Sequence, residues 1–142
     1  MLSQVHDHII SELGDSSRTD TIFVLTAIVV NLIVLGVNSI LSVAATEEPS
    51  NATYDLVLVV FIALTLLLNF IAVAALTLGR RNRRMLLEGL VAMYRDNEVE
   101  KYYDPSLMSN YGTRYTLFAG VIVTLAVTAI VVPFIIRFTN AG

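Results

Sequence analysis

The sequence predicts an all-α membrane protein: a three-transmembrane-helix bundle with an N-terminal amphipathic helix and a cytoplasmic helical extension of the second span. Three observations carry this prediction. Of 142 residues, 56 % are hydrophobic and 15 % charged, whereas a soluble domain uses about 25 % charged residues to cover its surface. Residues 22–45, 56–79 and 115–136 hold no charged side chain. Each run reaches the ~20 helical residues that cross a hydrocarbon core of about 30 Å. Finally, the basic residues concentrate at Leu78-Gly79-Arg80-Arg81-Asn82-Arg83-Arg84, where the second apolar run ends.

Composition also narrows the function. The mean hydropathy is +0.72, the net charge is −3 and cysteine is absent. A nucleic-acid binder would be basic overall, so nucleic acid is not an expected partner. Disulfides and thiolate metal sites are excluded. Tryptophan is absent as well, which leaves Tyr and Arg as interfacial anchors.

Segment 1–19 lacks the basic start and continuous apolar core of a signal peptide. Leu2, Val5, Ile9, Ile10 and Leu13 instead follow helical spacing, and Gly14 is suited to end such a helix. The expected element is a short amphipathic helix packed on protein, because its acidic character gives anionic lipid no hold on it. Residues 15–20 read as a polar linker in which Thr19 or Asp20 caps the next helix.

The first span occupies 20–45. Its apolar run is too long for the core of a cleaved signal sequence, so it is expected to be retained. An external acidic loop, 46–55, follows with Glu47, Glu48 and Asp55. It also contains Asn51-Ala52-Thr53, a glycosylation triplet that we expect to be a chance match. The second span is 56–79, and a basic, helical cytoplasmic segment covers 80–112. Within that segment Leu86, Leu87, Leu90, Val91 and Tyr94 form an apolar face. The helix is expected to run to Tyr103, where Pro105 stops it, and 104–112 to form a turn-rich connection. The third span, 113–138, carries Pro133, whose ring leaves one carbonyl without its helical donor. A membrane tolerates that only where a neighbour supplies a donor. Residues 139–142 form an external tail.

Arg18, Arg80, Arg81, Arg83, Arg84, Arg95, Lys101 and Arg114 fall on one side of such a topology and only Arg137 on the other. Because positive residues stay in the cytoplasm, the N-terminus is expected inside and the C-terminus outside, in the cell membrane. Arg80, Arg81, Arg83 and Arg84 then serve as the topology anchor and lie where anionic lipid headgroups can be contacted. Anything that couples an event inside the cell to the spans is expected to pass through Gly79–Arg84.

The functional signal within the spans is polar but uncharged. Asn31, Asn38 and Ser42 share one face of the first span, Thr65 and Asn69 one face of the second. Thr116, Gly120, Thr124 and Thr128 form a stripe on the third. All three faces are expected to turn inward, as interhelical glue or as the lining of a pore assembled from several copies. No Asp, Glu, Lys, Arg or His lies within the apolar runs, so proton relays, voltage sensing and intramembrane hydrolysis have no candidate residues.

Elsewhere the chemistry is equally sparse. His6 and His8 sit about 200° apart on a helix and cannot chelate one ion there. The acidic residues Asp96, Glu98, Glu100 and Asp104 lack the spacing of a calcium loop. No catalytic residue, metal or cofactor is therefore expected. The expected function is that of a non-enzymatic, self-associating or accessory subunit, whose partners are membrane lipids, copies of itself or a membrane complex. The alternative is an ion channel or small-solute pore lined by Asn31, Asn38, Asn69, Thr124 and Thr128.

Overall fold

The computed structural model describes residues 1–47, 52–104 and 106–139. It contains three long helices: α1 (Leu2–Glu47), α2 (Ala52–Asp96) and α3 (Ser106–Thr139). There is no strand among the described residues. All three helices are long and apolar enough to cross a membrane. The Asn51 end of the glycosylation triplet, the expected stop at Pro105 and most of the expected external tail lie outside the described residues.

The first two helices are far longer than a bilayer requires. α1 has 46 residues and so spans about 70 Å at 1.5 Å per residue, against an apolar core of about 30 Å. Gly14 does not end a helix, and residues 15–20 are not a linker but part of α1. A glycine inside a helix costs only about 1 kcal/mol relative to alanine. Contacts on both sides of Gly14, at His6 and at Asp20, hold the helix through it.

The inward residues explain how the rods pack. On α1 they are Asp20, Val24, Asn31, Val34, Asn38, Ser42 and Ala45. On α2 they are Leu58, Thr65, Ala72, Leu76, Arg83, Leu87 and Leu90. α3 contributes Ile122, Ala126, Ala129 and Pro133. These positions step by three, four or seven residues, the spacing that keeps one seam of each helix facing its neighbours. α1 packs evenly on both other helices, which meet each other less extensively. Contacts between His6 and Tyr94, Asp20 and Arg83, and Asn31 and Asn69 make α1 and α2 antiparallel. Thr21 meets Arg114 and Asn38 meets Ala129, so α1 and α3 run parallel.

The apolar face expected at the start of α1 is only partly covered: Leu2, Val5 and Ile10 are exposed, while Ile9 and Leu13 are half-buried. The start of α1 lies along the end of α2, where Leu87 and Leu90 are buried and the His6 imidazole shares a hydrogen bond of 3.1 Å with the Tyr94 hydroxyl. The Tyr94 and Tyr103 rings pack at 6.0 Å, and burial pushes the Tyr103 hydroxyl pKa up from its ordinary value.

α2 ends at Asp96, short of the expected Tyr103. The Val99 amide donates to the Tyr94 carbonyl at 2.9 Å and the Glu98 amide to the Arg95 carbonyl at 3.1 Å. This is the paired closure of a Schellman motif, and its left-handed residue is Glu98, at φ 57°. A left-handed conformation costs a residue with a Cβ roughly 1–2 kcal/mol. Glu98→Gly is therefore expected to stabilise the fold by about 1 kcal/mol, measured as a higher midpoint for unfolding in mixed micelles. An unchanged midpoint would mean that the Glu98 side chain offsets its own strain. A turn at Glu100–Tyr102 follows, held by two hydrogen bonds from Arg95 to Glu100 at 3.0 and 3.1 Å. They keep the Glu100 carboxyl below its ordinary pKa.

α3 begins at Ser106, so residues 106–112 are its first turns and not a turn-rich connection. The Asp104 carboxylate accepts from the Ser106 amide at 2.9 Å and caps a donor that the helix leaves open. At the opposite end of the bundle, Arg137 and Asp55 pair at 2.9 Å and tie α3 to α2.

Candidate functional site

Polar residues inside the bundle fall into three layers, two of them anticipated from the sequence. In the first, Asn31 and Asn69 face each other across α1 and α2. Each amide nitrogen donates to the other's carbonyl oxygen at 2.8 Å. Each also donates to its own helix one turn back, Asn31 to Ala27 at 2.8 Å and Asn69 to Thr65 at 2.7 Å. Thr65 does the same, with its hydroxyl on the Phe61 carbonyl at 2.7 Å. The groove beside the pair, about 150 Å³, is walled mainly by Phe23, Val30, Val34, Leu68 and Ile71. Two amides that bond each other need no water, which is how a polar group survives at membrane depth.

The second layer joins α1 to α3. Pro133 is fully buried and has no amide hydrogen, so the carbonyl four residues earlier, on Ala129, loses its helical donor. The Asn38 amide donates to that carbonyl at 3.3 Å. The neighbour that Pro133 requires is thus Asn38. Ser42 lies one turn further along α1 and is equally buried. Its hydroxyl and the Asn38 carbonyl oxygen have no hydrogen-bond partner among the described residues.

The third layer was not anticipated. Asp20 and Arg83 form an ion pair, each side chain only 8 % exposed. Gly79 makes room for it: a methyl group there would lie 2.6 Å from an Asp20 carboxylate oxygen. Asp20 is therefore not a helix cap, and α2 runs unbroken through Gly79–Arg84, in keeping with a helical extension of the second span. Around the pair, Arg80 lies over the Tyr115 ring at 4.9 Å and Arg83 over the Tyr111 ring at 5.9 Å. The Tyr115 hydroxyl shares a hydrogen bond of 2.6 Å with Thr77. Arg84 is exposed and bonds Glu88 at 2.9 Å, while Arg81 is exposed as well. Asp20 was legible after all, since it falls in step with Val24, Asn31 and Asn38 on the α1 seam.

One expected face does not turn inward. Gly120 and Thr124 are exposed and Thr128 is half-buried, because α3 presents Ile122, Ala126 and Ala129 to the bundle instead. A methyl group at Gly120 would meet no atom within 4 Å. Thr116, Gly120 and Thr124, with Leu117, Val121 and Leu125, line an open groove of about 450 Å³ along the outer side of α3. The Thr116 and Thr128 hydroxyls bond carbonyls of their own helix, at 3.1 and 2.9 Å. No set of three or more His, Cys, Asp or Glu residues is placed to hold a metal among the described residues. Comparisons with protein-family models, with curated proteins and with solved structures return no match.

Proposed function

We propose that this protein is a non-enzymatic membrane assembly or accessory subunit that self-associates through the outer groove of α3. The observation that carries the reading is Gly120. It lies exposed in a stripe with Thr116 and Thr124 and has open space where a side chain would be. Small residues of this kind let transmembrane helices approach closely, and such approach drives helix association in lipid. The Asn faces of α1 and α2 are engaged inside one protomer and have no such capacity left. The excess of arginine at the end bearing the N-terminus supports an N-inside orientation in the cell membrane.

A pore lined by the same Asn residues is the less favoured reading, because Asn31 and Asn69 bond each other and Asn38 is fully buried. The chain has no native cysteine, so single cysteines can report contacts between copies in bilayers. Val121→Cys is expected to cross-link two copies, and Ile33→Cys, exposed on α1, is not. Gly120→Leu should weaken association about tenfold, the effect of losing 1–2 kcal/mol of helix packing. A protein that stays monomeric in bilayers would overturn the proposal. Selective ion flux lost in Asn31→Leu, with the oligomer intact, would replace it with the pore.

A further inference from the structure

The third layer encloses a cavity that self-association does not use. It measures about 330 Å³, lies between α2 and the first turns of α3, and is lined by Arg80, Arg83, Arg84, Ser109, Tyr111 and Gly112, with Leu87 as its apolar wall. Three arginines thus border one space; Arg83 is paired with Asp20 and Arg84 with Glu88. Arg83 is 7 % exposed, and its Nε has no hydrogen-bond partner. Arg80 is stacked on Tyr115, and no carboxylate pairs with it among the described residues. Gly112 borders the mouth, where a methyl group would stand in ordinary contact, 3.5 Å from an Arg80 nitrogen, so only a larger side chain would fill it.

We infer that this cavity binds a phosphate group at the membrane boundary. Planar guanidinium groups match phosphate oxygens with paired, charge-assisted hydrogen bonds. Arg80, stacked on Tyr115 and free of a carboxylate partner, has guanidinium donors to offer. The level of the cavity selects the source. It lies beside Asp20–Arg83, where the uncharged runs of α1 and α2 begin and end, the depth at which a lipid presents its headgroup phosphate. Arg81, although part of the same cluster, does not line the cavity. A bound phosphate therefore distinguishes among the four arginines, whereas diffuse attraction to an anionic surface does not. The inference is independent of self-association through α3, which is read out separately.

The test uses the full-length protein in mild detergent, titrated with phosphatidylglycerol or phosphatidylcholine and followed by native mass spectrometry. Tighter binding of phosphatidylglycerol is expected. Arg80→Gln should weaken it about tenfold or more, the loss of a charge-assisted hydrogen bond. Gly112→Leu, which fills the cavity without changing charge, should weaken it similarly. Arg81→Gln should cost no more than the roughly fivefold expected of one charge near an anionic surface. Competition by glycerol 3-phosphate would assign the site to a soluble phosphate ester, and lack of competition to the lipid; either outcome upholds phosphate binding. Equal losses in Arg80→Gln and Arg81→Gln, with none in Gly112→Leu, would overturn the inference.

Discussion

Asp20→Leu is expected to destabilise the bundle by about 3–5 kcal/mol, the cost of stranding a buried charge when its partner is removed. Arg83 would keep its position among Asp20's former neighbours, desolvated and without a carboxylate, and its Nε is already unpartnered. The pair itself need not add net stability, since desolvating two charges offsets most of their attraction. The double variant Asp20→Leu/Arg83→Met is therefore expected to recover most of the loss. Unfolding of the three variants in mixed micelles, followed by circular dichroism, measures both effects. A loss below about 1 kcal/mol for Asp20→Leu, the range of an exposed pair, would show that Arg83 can reach water unaided. Gly79→Ala tests the same layer from the other side, because its methyl group would occupy the space of the carboxylate.

The second large effect is expected at Asn38, and it depends on a residue on another helix. Asn38→Leu removes the donor to the Ala129 carbonyl, which Pro133 has already deprived of its helical bond. An orphaned carbonyl in an apolar interior costs roughly 1–3 kcal/mol. Pro133→Ala restores an amide hydrogen at position 133 and with it the normal bond to Ala129. In that background Asn38→Leu should cost little, so the two substitutions should be strongly non-additive in a double-mutant cycle. Additive losses would mean that Asn38 acts through something other than the Ala129 carbonyl.

The sequence made some of this visible and hid the rest for identifiable reasons. The three apolar runs were plain because lipid excludes charge over a fixed length, and each lies within one of the observed helices. The need for a donor opposite Pro133 was plain too, since it follows from the chemistry of one residue. Which residue would supply it was not, because that depends on how α1 is rotated against α3. Asp20 was misread because Thr19 and Asp20, just ahead of an apolar run, carry the same local signal as a helix start. Only the seam spacing, read across Val24, Asn31 and Asn38, separates a cap from an inward residue. The outward turn of Gly120 was hidden by a choice between two workable faces. α3 carries small residues on both, and the face with Ala126 and Ala129 took the bundle side. The ends of the helices were misplaced at Gly14, Tyr103 and 104–112, because tertiary contacts continue or start a helix where composition alone suggests a stop.

The unbroken course of α1 and α2 has a mechanical consequence. A hinge would let the polar and apolar halves of each helix move separately, but here both halves belong to the same rigid rods. These are fastened to each other at His6–Tyr94, Asp20–Arg83 and Asn31–Asn69. A push on the Tyr94 end is then not absorbed along the way. Because α1 packs on α3 as extensively as on α2, a displacement that reaches Glu47 and Ala52 is expected to carry all three helices together.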